Sequence, residues 1–297
     1  MRLATVGTTL LRLCFPPRCV GCGTRLPAHA RFEMVCERCF ALIPRHRWLT
    51  CPVCRARIPV ILEARPQGSP RSRLSPGSPL VETKVDMSTS DSLAFHRGLS
   101  VVGCPSASLG MVSSSNHRLP RCHPEARFVL AAASDFRNQT VRELIHALKY
   151  RPAHRVALPL ATLLAEYIAG LAATLPPGIL PLIPVPLHPR RERERGWNQA
   201  AVLARTLAGF CPGRFEVRDD VLRRIRYTEP QVSFRDRVWR AANISGSFAC
   251  ASETLPLGPI AVLIDDVSTT GATLGEAARV LRHAGVRTVI GLVVASA

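Results

Sequence analysis

The run IAVLI at residues 260–264 is the feature that most constrains this chain. It has no polar position, and three of its five residues are β-branched. A strand that is apolar at every residue needs cover on both faces, which is the setting of a central parallel strand. The same grammar recurs from residue 121 to the end. A strand is expected at 128–133. An amphipathic helix follows at 140–150, with Val141, Leu144, Ile145 and Leu148 on one face. Then come an apolar helix at 156–175, an apolar run at 182–187 broken by Pro184 and Pro186, and a helix at 196–208. After 260–264, a helix at 273–284 is ended by Gly285 and an apolar strand closes at 286–294. Strands alternating with helices define an α/β fold, a mostly parallel sheet flanked by helices.

Upstream of that domain lie three Cys-x2-Cys pairs, Cys19/Cys22, Cys36/Cys39 and Cys51/Cys54. Each such turn places two thiolates on one side of a tetrahedral ion, and two turns complete it. That is the pattern of a structural Zn²⁺ knuckle, and Gly21 and Gly23 suit the tight first turn. The third pair needs two further ligands. Cys122 and His123 are the nearest candidates, but Leu119 stands where the partner of Cys122 in a fourth pair would be. Two readings stay open: an incomplete second site, or three pairs sharing one ion. The chain thus divides into a Cys-rich zinc-binding domain (1–58), a Ser/Pro/Gly-rich insert without hydrophobic period (59–120) and the α/β domain (121–297).

The formal net charge is +18, and the first 55 residues alone hold nine Arg against two Glu. One filled four-thiolate zinc site brings the net charge to about +16. So basic a chain favours anionic partners: phosphates, nucleic acid or an acidic surface. Only two cations are lysines, Lys84 and Lys149. Residues 156–175 contain Glu166 and Pro159 and read as a buried helix rather than a membrane span. The opening MRLATVGTTLLRLCF is a poor secretory leader, because Arg12 interrupts it and no small-residue cleavage site follows. Together with thiols spaced for metal, this gives a cytoplasmic expectation.

The chemistry concentrates where the run 260–264 ends. Asp265 and Asp266 are followed by Val267, Ser268, Thr269, Thr270, Gly271, Ala272 and Thr273, leading into a helix. Loop N–H groups at a helix N-terminus capture anions, Gly271 permits close approach, and four hydroxyls add donors. The two carboxylates suit neighbouring ribose hydroxyls or a Mg²⁺ bridging to them. Neither G-x-x-x-x-G-K-[ST] nor G-x-G-x-x-G after a strand is present. Two further stretches bear on the site. Residues 188–199 (HPRRERERGWNQ) read as a basic loop leading into a helix, with Arg195 next to Gly196 as the best pyrophosphate contact. A solvated charge run is the competing reading for Arg190–Arg193, because Glu192 and Glu194 interrupt it. Residues 227–237 (YTEPQVSFRDR) read as a mobile loop or an exposed hairpin.

The segment 265–273 resembles the motif that binds 5-phosphoribosyl-1-pyrophosphate (PRPP) in type I phosphoribosyltransferases. By that resemblance Asp265 and Asp266 contact ribose hydroxyls, and Ser268, Thr269, Thr270, Gly271, Ala272 and Thr273 hold the 5-phosphate. Arg235 and Arg237 then contact the leaving pyrophosphate. More narrowly, the multi-Cys start, LKY, PVPLHPRR…RGWNQA, T-x-x-Q-x-x-x-R-x-R, Asn243…Gly246-Ser247-Phe248 and IDDVSTTGATL occur in order. This arrangement resembles the ComF family of competence-related proteins. The resemblance implies a type I phosphoribosyltransferase-like domain, structural Zn and PRPP with Mg. It also implies a role in uptake of transforming DNA, with single-stranded DNA and DNA-uptake proteins as partners. An accessory role in binding single-stranded DNA or sensing a metabolite, without catalysis, is the alternative. Aromatics are only 5%, so Trp48, Trp197 and Trp239 offer a sparse stacking platform.

Overall fold

A computed structural model describes residues 17–27, 29–58, 123, 125–151, 153–227, 244–251 and 257–297. The insert at 59–120 lies outside them, as do Cys122, Arg235, Arg237 and Trp239. In chain order the elements are α1 (Glu37–Ala41), β1 (Leu49–Thr50), β2 (Arg57–Ile58), β3 (Val129–Asp135), α2 (Gln139–Tyr150) and α3 (Ala153–Gly170). They continue with β4 (Leu180–Pro184), α4 (Pro189–Arg195), α5 (Gln199–Phe210), β5 (Phe215–Val217), β6 (Leu222–Arg224), β7 (Phe248–Cys250), β8 (Ile260–Ser268), α6 (Ala272–His283) and β9 (Thr288–Ser296).

Seven strands form one sheet in the order β2-β1-β3-β9-β8-β4-β5, and β6 and β7 pair separately. From β3 to β5 every neighbour is parallel. The apolar run at 260–264 is the near end of β8, which continues through both aspartates to Ser268 and pairs with β9 on one side and β4 on the other. Val262 and Ile264 face a core shared with α2, α3 and α5. Ala261 and Leu263 face a second core with α6 and the paired strands β6 and β7. That double burial is what an all-apolar strand requires.

The Cys-rich segment adds to the same sheet. β1 runs antiparallel to β3, and β2 extends the edge. Phe32, Phe40, Ile43 and Leu49 belong to the same core as Leu160, Leu163 and Leu164 of α3. The Tyr167 hydroxyl donates to the Trp48 carbonyl at 2.7 Å and the Ser134 hydroxyl to that of Pro44 at 2.7 Å. Arg45 closes the end of α1 by donating to the Phe40, Ala41 and Ile43 carbonyls, and its Nε reaches Glu166 at 3.0 Å.

One local expectation changes. The basic stretch after His188 is helix α4, not a loop. His188 caps it by accepting from the Arg190 amide at 3.3 Å, Pro189 takes the first turn, and Gly196 at φ +83° ends it. Arg190 and Glu194, one turn apart, pair at 3.1 Å. Pro inside the start, an i,i+4 pair and a left-handed Gly at the end are helix grammar. The interleaved Glu residues that read as charge dilution are helix support.

Candidate functional site

The site falls where chain direction reverses across the sheet. After β4 the chain crosses through α5 to β5, outward on one face. After β8 it crosses through α6 to β9, inward on the other. Adjacent parallel strands whose crossovers diverge leave a crevice at their carboxyl ends, the usual ligand position in open α/β sheets. The carboxyl end of β8 carries Asp265 to Ser268, and that of β4 leads to His188 and α4.

The two aspartates differ. Asp266 is buried, and the Lys149 ammonium lies 2.8 Å from its Oδ2. Its Oδ1 accepts the Val267 amide at 2.9 Å. Asp265 is partly accessible, and its Oδ1 accepts the Asp266 amide at 2.8 Å. Burial and the neighbouring Asp266 carboxylate push the Asp265 carboxyl well above the ordinary range. Such a group gains from hydroxyl donors or a cation brought to it. Asp266 has a resident counter-charge, and among the described residues Asp265 forms no ion pair as close.

The hydroxyls also separate. Ser268 is 3% exposed, and among the described residues its Oγ has no hydrogen-bond partner. A buried hydroxyl in that state costs free energy unless something else fills its valence. Thr270 Oγ1 accepts the Ala272 amide at 3.3 Å. Thr269 is exposed, and its carbonyl accepts from Arg55. Thr273 stands in the first turn of α6. Gly271 takes φ +79° at the head of α6 and provides no side-chain cap, so the first-turn amides have no capping side chain from that position. A Cβ there would stand 3.4 Å from the Phe128 ring, and a φ of that sign strains any other residue.

A cationic wall stands beside the acids. Arg224 is half-buried, and its guanidinium feels both Arg191 and Asp265; burial, foremost, lowers its proton affinity. Arg190 and Arg191 lie 5.0 and 6.0 Å from the Tyr227 ring centroid, with the His188 ring edge-on at 5.1 Å. Arg195 instead donates to Gln199 at 3.1 Å. Sequence reasoning left Lys149, Arg224 and Arg55 out of the site. Lys149 had two signals, as one of two lysines and as the centre of LKY, at the end of the helix stripe defined by Val141 and Leu148. Arg224 and Arg55 had none. Trp197 anchors the core by donating to the Leu148 carbonyl at 3.0 Å, whereas Trp48 is stacked beneath Arg57 at 3.8 Å.

The cysteines resolve into two groups. Cys19, Cys22, Cys36 and Cys39 bring their sulfurs within 4.8 Å of one another. The Cys22–Cys36 separation is 3.8 Å, the edge of a tetrahedron with metal–sulfur bonds of about 2.3 Å and far beyond a disulfide bond. Backbone amides of Gly21 and Cys36 donate to Cys19 Sγ, and that of Cys39 to Cys36 Sγ, at 3.3–3.4 Å. Donors of this kind orient and stabilise metal-bound thiolates. Thr24 beside Cys22 brings that thiol down to about 6. The donor set is compatible with structural zinc. Cys51, Cys54 and His123 form the second group, with Cys51 Sγ 3.5 Å from His123 Nδ1. The third pair therefore does not share the first ion's ligands. It meets the histidine from beyond the insert, a donor set that also fits zinc.

An α/β protein with a four-cysteine centre and an acid–hydroxyl loop at its switch point is the class these features define. No family model matches the chain. Among curated proteins it is 33% identical over 165 residues to the DNA utilization protein YhgH of Salmonella typhi, covering 54% of this chain and 68% of that one. It is 36% identical over 107 residues to competence protein F of Haemophilus influenzae, covering 35% and 45%. It is 28% identical over 148 residues to competence protein ComFC of Bacillus subtilis, covering 50% and 56%. The chain belongs to the ComF family. Among the described residues no helix is long and apolar enough to cross a membrane.

Proposed function

We propose that this protein binds PRPP, with Mg²⁺, at the carboxyl ends of β4 and β8, within a type I phosphoribosyltransferase-like domain. The carrying observation is the pairing at one strand end of a partly accessible carboxyl, Asp265, with a buried hydroxyl, Ser268, that has no hydrogen-bond partner among the described residues. In this reading Asp265 and Asp266 receive the ribose hydroxyls. Ser268 and the loop to Thr273 hold the 5-phosphate at the head of α6. Lys149 holds Asp266 in place through their 2.8 Å ion pair, and Arg224 with Arg191 faces the pyrophosphate. Magnesium, when bound, supplies positive charge to the pyrophosphate oxygens. On transfer, the ribose C1–oxygen bond breaks and pyrophosphate leaves with the electron pair. The acceptor's lone pair then forms the new bond at C1. The chain's contribution is positioning and charge stabilisation. Arg235 and Arg237 are assigned to the leaving group from sequence alone.

The relatives' names, DNA utilization and competence, place the family beside DNA uptake. We assign this chain to the same work in the cytoplasm, with single-stranded DNA and DNA-uptake proteins as partners. The cationic wall around Tyr227 favours a second reading, a PRPP sensor or single-stranded-DNA accessory protein without turnover. Calorimetry with PRPP and Mg²⁺, alongside a pyrophosphate-release assay, tests both. Wild-type protein gives binding heat, and Asp265→Asn weakens affinity by about tenfold or more. The Asp265→Asn/Asp266→Asn double variant abolishes it. Pyrophosphate release by the wild-type protein, lost in the double variant, selects turnover over the sensor. No heat from folded wild-type protein ends the PRPP reading.

A further inference from the structure

We propose that the Cys51–Cys54 knuckle is a metal-dependent clamp on the loop after β8, and that Arg55 is its arm. Two observations meet here. The first is the likeness of the two knuckles. In the first, the Cys19 amide donates to the Thr24 carbonyl at 2.9 Å, the Gly23 amide to the Cys19 carbonyl at 2.8 Å and the Gly21 amide to Cys19 Sγ at 3.3 Å. In the second, the Cys51 amide donates to the Ala56 carbonyl at 2.9 Å, the Arg55 amide to the Cys51 carbonyl at 3.0 Å and the Val53 amide to Cys51 Sγ at 3.4 Å. The turns match bond for bond. The residue after the second cysteine must then be left-handed: Gly23 has φ +72° and Arg55 has φ +64°. Arg55 is the one non-glycine residue with positive φ among the described residues. A side chain strained where glycine would sit freely points to a use for that side chain.

The second observation supplies the use. The Arg55 guanidinium donates to the Thr269 carbonyl, 214 positions along the chain, inside the segment Ser268–Thr273. Cys51, Cys54 and His123 supply three nitrogen and sulfur donors of the kind zinc takes, so a bound ion would hold the turn that aims the arginine. Arg55 is a positioning residue. It fixes the loop's backbone from outside, so that the loop amides are presented in one arrangement to an anion. This role rests on the PRPP reading only for its effect on affinity. The clamp itself is a property of the ligand-free protein.

Hydrogen exchange on the full-length, zinc-loaded protein without ligand is the test. Arg55→Gly keeps wild-type zinc content and an equal or higher Tm, because strain is relieved. The amides of 269–272 exchange about tenfold faster as one charge-assisted bond is lost. Arg55→Lys falls between. Cys54→Ser lowers metal content at the second knuckle, read with Co²⁺ as an optical probe. It speeds the same amides although Arg55 is present. Wild-type loop exchange in Arg55→Gly overturns the clamp, and wild-type exchange in a metal-depleted Cys54→Ser overturns its metal dependence. In calorimetry, Arg55→Gly weakens PRPP binding by roughly 3- to 10-fold. If wild-type protein binds no PRPP, the functional reading fails while the exchange result still decides the clamp.

Discussion

Lys149 and Asp266 form an ion pair whose partners are 24% and 6% exposed, so their attraction is little screened and neither is freely replaced. Removing the lysine leaves a carboxylate at the end of a central strand with its main counter-charge gone. Lys149→Met is therefore expected to cost roughly 3 kcal/mol in urea unfolding. Lys149→Met/Asp266→Asn should recover part of that loss, because no charge is then left uncompensated. An unchanged midpoint in the single variant would show that solvent, not Lys149, carries the charge. The aspartate doublet was plain in the sequence, as was its fitness for hydroxyls. Its asymmetry was not. One acid is paired and the other partly accessible because α2 ends beside β8, a fact of packing that no local pattern encodes.

At the scale of elements, α6 does more than lead out of the loop. Glu276 on its inner side is 4% exposed, accepts the Gly246 amide at 2.8 Å and pairs with Arg279 at 2.7 Å. It ties the turn before β7 to the helix that heads the loop. The Arg279 guanidinium, foremost, holds the Glu276 carboxyl below its ordinary 4.5. A depressed carboxyl contributes stability that is complete above its unfolded value and is lost as pH falls through its folded one. Wild-type protein should exceed Glu276→Gln by about 1 kcal/mol at neutral pH, given Arg279's exposure. The gap should close as pH falls below 4.5 and through the lowered folded-state value, read as urea midpoints across pH. A pH-independent gap would assign the effect to packing. Helix α4 teaches the converse. Its His-Pro start, Arg190–Glu194 spacing and closing Gly196 are all legible in the sequence, and they outweigh a charge density that by itself is typical of a loop.

For the whole molecule, the Cys-rich segment is built into the α/β body. It supplies two strands to the sheet, and Cys19 and Cys51 are themselves core residues. Metal binding should therefore be felt across the fold. Stripping metal with a chelator is expected to lower Tm by about 10 °C, in one transition. An early, separate transition with the α/β body intact would mean that the segment folds independently. Deleting residues 17–58 is not a clean probe of DNA binding, since it would expose the α3 surface that Phe32, Phe40 and Leu49 cover.

What the chain determines by itself is written in short-range terms. These are the alternation of strand and helix, the paired cysteines, and the acid–hydroxyl loop behind an all-apolar strand. Each follows from neighbours a few residues apart, whose periodicity and turn chemistry are local. Only the tertiary structure decided which partners those features have: His123 for Cys51 and Cys54, Lys149 for Asp266, Arg55 for Thr269. Those pairings depend on how crossovers divide between the two faces of the sheet and where the helix ends then fall. That outcome is set by burial summed over the entire core and by no single stretch of residues.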